Sequence, residues 1–253
     1  MTSIFQTLIL QPILNLLIWL YNVIPGNDIG LAVIALTIIV KLVLYPFTAA
    51  QIRQQRELQS IQPKIDEIRA RLKDDKDAQA KELMELYKRE KVNPAASCLP
   101  LLVQLPIFIG LFQALQDGLA SKGLNLLYPF VANPGTVNQM FFGVLDLSKP
   151  SYALAILAGL VQFVQSYQMF NKNGLTTPPP AEVAGSPAAK DESMATIMNK
   201  QMMYIMPAMT ILIGFSLPGG LALYWLVMSL LTVGQQALFL RKPQPPKPQA
   251  QLS

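Results

Sequence analysis

One lysine, Lys41, interrupts an apolar run that extends from about Ile29 to Ala50. Counted from Gly30 at about 1.5 Å per residue, it lies about 16 Å down a helix, near the middle of a hydrocarbon layer about 30 Å thick. An ammonium at that depth costs about 2.5 to 3.5 kcal/mol on insertion scales, so it needs a solvating partner or a use. No carboxylate is available, because Asp28, Asp117 and Asp146 fall at or beyond the outer edges of the apolar runs. Those runs do carry neutral polar groups: Gln104, Gln113, Gln162, Gln165 and Ser166, then Thr210, Ser216 and Ser229. Gathered around Lys41, they would line a wet groove between helices. The plainer reading is that Lys41 snorkels and the amides glue helices together. Tyr224 and Trp225 likewise fit either an interfacial aromatic belt or a surface that touches substrate.

The chain has no histidine and a single cysteine, Cys98. That removes the commonest metal ligand and general base, and any disulfide framework within the chain. An intramembrane protease would need a Ser/His pair or two mid-span aspartates, and the runs hold neither. The expectation is a protein that is not an enzyme and uses neither metal nor cofactor.

The elements that must position these groups are helices. Of 253 residues, 52% are hydrophobic and 14% charged, and the apolar residues come in blocks near 20 long. Such blocks match membrane-spanning helices, and alternating strands for a barrel are absent. Spans are expected at about Ile29–Ala50, Ser97–Leu115, Tyr152–Phe170, Gln201–Leu217 and Leu221–Leu240. The last two, joined by Pro218-Gly219-Gly220, must be antiparallel neighbours. Ahead of them, residues 4 to 20 are apolar with a polar stripe of Thr7, Gln11, Asn15 and Asn22, which fits an interfacial amphipathic helix best. The rival is a sixth span with the N-terminus inside. The start of the chain lacks the charged n-region and cleavage site of a secretory signal and is expected to stay in the mature protein.

Residues 53 to 92 hold eleven Lys/Arg and nine Asp/Glu, with Leu58, Ile61, Ile65, Ile68 and Leu72 before a KDDKD turn and Leu83, Leu86 and Tyr87 after it. That predicts a charged helical hairpin with a thin apolar seam. Both signs on its surface argue against specific nucleic-acid binding. With the hairpin inside, seventeen Lys/Arg face the interior against Lys122 and Lys149 outside, which sets the N-terminus out and the C-terminus in. The division is thus 1–28 outer helix and connection, 29–52 first span, 53–94 hairpin, 95–240 the remaining spans with a Pro/Ala/Ser-rich linker at 171–198, and 241–253 a solvated tail.

Four blocks are specific in spelling: IVKLVLYPFTAAQ, LQSIQPKIDEIRARLKDD, LYKREKVNPAASCLPLLVQLPIFIGLFQAL and FSLPGGLALYW. In order and spacing they closely resemble the YidC/Oxa/Alb family of membrane protein insertases, from about Gly30 to Leu240. The resemblance implies an all-α membrane protein whose five spans enclose a hydrophilic groove, preceded by an outer amphipathic helix and carrying a cytoplasmic hairpin. It implies insertion of nascent membrane proteins into the bilayer without nucleotide, alone or beside the Sec translocon, with the hairpin receiving clients or contacting the ribosome. Gln165 and Trp225 match groove-facing positions, and Gln104 matches a recurrent structural glutamine. At the position of Lys41 relatives commonly carry arginine. Lysine keeps the charge but lacks the planar fork that grips a carboxylate at two points. A bacterial plasma membrane is the expected location. The alternative from another class is a small-solute or ion transporter, which predicts an internal repeat that the sequence lacks.

Overall fold

The computed structural model of the chain describes residues 2–93, 99–119, 123–171 and 201–241. The expected linker beyond Asn171, the tail beyond Arg241 and the chain between Asn93 and Leu99 lie outside these residues. The helices are α1 (Thr2–Phe5), which runs through a π-helical turn (Gln6–Leu10) into α2 (Gln11–Val23), then α3 (Ile29–Val43), α4 (Tyr45–Ser60), α5 (Gln62–Arg71) and α6 (Lys76–Arg89). They continue as α7 (Leu99–Leu119), α8 (Tyr152–Asn171), α9 (Met206–Gly214) and α10 (Gly219–Arg241). Between α7 and α8 a two-stranded antiparallel hairpin pairs β1 (Met140–Phe141) with β2 (Leu145–Asp146), Met140 opposite Asp146.

Among the described residues, Gln6–Val23 and Gly219–Phe239 are long and apolar enough to cross a membrane, and the bent pair Ile29–Val43 and Tyr45–Leu58 adds a third if taken as one span. The run read as one helix from Ile29 to Ala50 is therefore two, bent by 64° at Leu44. Pro46 explains the position. It has no N–H to give the carbonyl of Leu42, and it biases the residue before it away from helical geometry. Lys41 consequently sits in the last turn of the straight segment.

The core is built where α2, α3, α7 and α10 meet. Leu14, Leu17 and Ile18 of α2 pack with Ile29, Ala32, Val33 and Leu36 of α3, Leu111 and Leu115 of α7, and Leu221 to Tyr224 of α10. The polar stripe of α2 meets protein at its centre, where Asn15 is buried. Asn15, 3% exposed, donates to the carbonyls of Gln11 (2.8 Å) and Leu126 (3.0 Å) and accepts from the backbone N–H of Tyr128 (2.6 Å). Gln11 donates to Leu126 as well, and Asn22 to the carbonyl of Ala132 at 2.7 Å. The stripe thus binds the backbone of the loop after α7, while Ile4, Leu8, Trp19 and Val23 are left exposed. Helical period alone marks a face as polar without saying what it meets.

α10 packs along α8 and α3, and α8 packs along α9. Small residues allow the α8–α9 approach: a Cβ on Gly159 would lie 2.3 Å from Ile211 Cγ1 and 3.0 Å from the carbonyl oxygen of Pro207, and one on Gly214 would lie 2.7 Å from Ala155 Cβ. The turn between α9 and α10 is fixed by backbone hydrogen bonds from Gly219 to Lys149 (2.8 Å) and from Gly220 to Leu147 (3.0 Å). A side chain on Gly219 would crowd the Lys149 carbonyl at 3.0 Å.

Asp28 joins α3 to the β-hairpin. One carboxylate oxygen caps α3 through the N–H of Leu31 (3.0 Å), and the other accepts from the N–H of Phe142 (2.6 Å), a residue with φ of 49°. The ring of Phe141 lies directly against Gly30, where any Cβ would collide with it. At the opposite end of α3 and α4, helices α5 and α6 pack through Ile61, Ile65, Ile68, Leu86 and Val92, with Leu58, Leu72, Leu83 and Tyr87 partly buried. Asp75 caps α6, and Lys64–Glu90 and Arg71–Glu82 ion pairs flank the seam.

Candidate functional site

Along α10, Trp225, Ser229 and Thr232 recur at the four- and three-residue spacing that lines one helical face. Seven residues at about 1.5 Å each make this stripe about 10 Å long. At its N-terminal end Tyr224, 1% exposed, receives a hydrogen bond from the Gln104 amide of α7, and the Trp225 ring stacks on Phe108 of α7 at 5.2 Å and 11°. Neither aromatic therefore stands in an exposed belt. Ser229 follows, half-buried.

Lys41 approaches the other end of the stripe from α3. It is 9% exposed, and its ammonium donates to Thr232 Oγ1 at 2.9 Å. The Thr232 hydroxyl in turn donates to the carbonyl of Met228 at 2.7 Å. Among the described residues, no carboxylate lies within ion-pairing distance of Lys41. Below it, Thr48 and Gln235 exchange a hydrogen bond (3.0 Å), Arg56 donates to the carbonyl of Phe239 (2.9 Å), and Arg53 stands over the Phe239 ring at 5.8 Å. α10 is thus bound to both sides of the bend at Leu44.

Gln162 is used differently. Its carbonyl oxygen accepts from Thr210 at 2.6 Å and ties α8 to α9. Gln165 lies about one turn further along α8, half-buried, and no hydrogen bond joins Gln162 or Gln165 to Lys41. The predicted residues therefore fall into two groups. Lys41, Gln104, Tyr224, Trp225 and Ser229 meet around α10, while Gln162 and Gln165 stand on the α8 face. Ser216 is exposed beyond α9. Thr232, the hydrogen-bond partner of Lys41, escaped the sequence reading, although it continues the Trp225–Ser229 stripe by one turn.

This arrangement can hold a cation on a polar helical face, and it offers neither a nucleophile–base pair nor, among the described residues, any cluster of three potential metal ligands. Two or three described helices long and apolar enough to cross a membrane mark a helical membrane protein. The sequence model described as "60Kd inner membrane protein" matches residues 19–246, and the chain belongs to that family of bacterial inner-membrane proteins. A Mannheimia succiniciproducens protein named membrane protein insertase YidC is 36% identical over 89% of this chain and 36% of its own length. A Neisseria gonorrhoeae protein of the same name is 38% identical over 89% and 35%. Another, from Fusobacterium nucleatum, is 32% identical over 85% of this chain and 88% of its own length. This chain thus spans about a third of the first two relatives and most of the third. A crystal structure of an active YidC insertase with its first transmembrane domain resolved superposes with a TM-score of 0.60 at 26% identity, covering 95% of this chain and 46% of that one.

Proposed function

We propose that this chain is a membrane protein insertase. It receives nascent membrane proteins along the polar face between Lys41 and Trp225 and releases their apolar helices sideways into lipid. Five spans are formed in this reading by α3 with the start of α4, α7, α8, α9 with the π-helical segment Gln201–Ile205 before it, and α10. They enclose a hydrophilic groove, with the N-terminus outside and the α5–α6 hairpin and C-terminus in the cytoplasm. The α1–α2 helix then seals the outer side, its polar stripe bound to the outer loop.

The observation that carries the reading is Lys41: a nearly buried ammonium held by a hydroxyl, with no carboxylate beside it among the described residues. A polar client segment crossing bare hydrocarbon leaves unsatisfied groups that cost several kcal/mol each, and a polar groove part of the way across shortens that barrier. Lys41 attracts the acidic outer segment of a client, and burial of the client's own apolar helix drives its release. Gln165, Gln162 and Ser229 supply neutral hydrogen-bonding groups beside the path, and Gln104 with Tyr224 and Trp225 fixes α7 against α10 at its outer end. The hairpin is the contact surface for the ribosome or the Sec translocon. That the curated relatives are named as insertases favours this reading over a transporter.

The test is insertion into reconstituted vesicles of matched clients with acidic or neutral outer segments. Lys41→Ala is expected to weaken acidic clients more than neutral ones. Equal loss for both would remove the electrostatic step and leave hydration of the groove alone.

A further inference from the structure

We infer that Thr232 is a positioning residue for client selection: it sets where the Lys41 ammonium stands, and through it the preference for acidic client segments. The inference rests on the insertase reading above and adds a residue to it. Lys41 reaches Thr232 across 191 positions of sequence, from α3 to α10, at 2.9 Å. A lysine side chain has four rotatable carbons and a point charge, so its location is set by what holds it. Thr232 is suited to that task because its hydroxyl is itself oriented. It donates its proton to the Met228 carbonyl one turn back, leaving an oxygen lone pair for the ammonium.

Of the three N–H donors of the ammonium, one is occupied by Thr232. Among the described residues no second partner holds the ammonium, which leaves two donors for a client carboxylate. Thr37, one turn earlier on α3, donates to the carbonyl of Val33 at 2.6 Å, and no hydrogen bond joins it to Lys41. Without Thr232 the buried ammonium loses this acceptor, and the flexible stem carries it toward the polar inner end of α10. The cation is then displaced from the face along which clients move.

Thr232→Val keeps the volume and removes the hydroxyl, and Thr232→Ser restores it. In vesicles, Thr232→Val should lower acidic-client insertion relative to neutral-client insertion by about three- to tenfold, the scale of one ordinary net hydrogen bond. Thr232→Ser should recover most of that ratio. A second readout is independent of clients: the rate at which Lys41 is acylated in the folded protein, read residue by residue by mass spectrometry with Lys149 as reference. Thr232→Val should raise the Lys41 rate severalfold and leave that of Lys149 unchanged. Lys41→Met separates the two levels of the argument. If it abolishes the acidic preference while Thr232→Val changes neither that preference nor the acylation rate, the role of Thr232 is refuted and the insertase reading stands. If Lys41→Met leaves the preference intact, the electrostatic step and the role of Thr232 both fall, and the insertase reading is then decided by whether neutral clients insert at all.

Discussion

Gly159→Ala separates packing from helix propensity, because the two predict opposite signs. Alanine in a helix interior is favoured over glycine by about 0.8 to 1 kcal/mol, so propensity alone makes the variant more stable. At Gly159 the new methyl would lie 2.3 Å and 2.7 Å from the Ile211 side chain and 3.0 Å from the carbonyl oxygen of Pro207. Ile211 can rotate, but the Pro207 carbonyl belongs to the backbone of α9 and moves only if the helix moves. Overpacking of this kind costs about 1 to 3 kcal/mol, so the net effect is a loss of about 1 kcal/mol. Gly234 of α10 is the matched control, since a Cβ there meets nothing within 4 Å. Gly234→Ala should gain up to about 1 kcal/mol. The assay is the unfolding midpoint of the two variants in the same detergent, where about 2 kcal/mol between them corresponds to roughly 4 to 8 °C for a chain of this size. Equal or higher stability of Gly159→Ala would mean that α8 and α9 are not in the close contact described.

Tyr224→Phe leaves the Gln104 amide without its phenol partner, and a double-mutant cycle with Gln104→Leu should give a coupling of about 0.5 to 1.5 kcal/mol; additivity of the two changes would show that the bond is not formed. Asp28→Ala removes the α3 cap and the hold on Phe142 together, so it should cost about 1 kcal/mol or more and speed proteolysis at residues 142–144, whereas an unchanged cleavage rate would contradict the link. The Asp146 carboxyl is held below its ordinary range by hydrogen bonds from Ser148 and then from Lys149. A depressed carboxyl stabilises the fold above its unfolded value of about 3.9, and that contribution is lost as pH falls through the still lower folded value. Melting should therefore be insensitive to Asp146 between pH 5 and 8, and the gap between wild type and Asp146→Asn should close only below about pH 4. A gap that changes near neutrality would contradict the assignment.

The parts most legible in the sequence are those specified locally. The apolar positions from Ile61 to Ile68 and at Leu86 sit in the seam between α5 and α6 as their spacing predicts, because each helix carries its own hydrophobic stripe. Pro218-Gly219-Gly220 reads as a tight turn, and the structure adds the reason for the glycine: Gly219 lies against the backbone of Lys149. Lys41 is recognisable because a charge inside an apolar run has few explanations. Its partner is not, since one threonine in an apolar helix carries no mark of which distant helix it faces. The same limit applied to Asn15, whose stripe suits water and a loop backbone equally well. The bend at Leu44 was signalled by Pro46, but an unbroken hydrophobic run outweighs one proline when spans are read by length.

The central claim is that clients travel along the Lys41–Trp225 face. Photo-crosslinking probes at Trp225, Ser229 and Gln165, compared with a probe at exposed Leu230 on α10, would be challenged with a stalled nascent chain bearing one apolar segment. The account predicts adducts concentrated at the first three positions and few at Leu230. Equal labelling at all four, or no adducts in vesicles where the protein is folded and lipid-embedded, would contradict it.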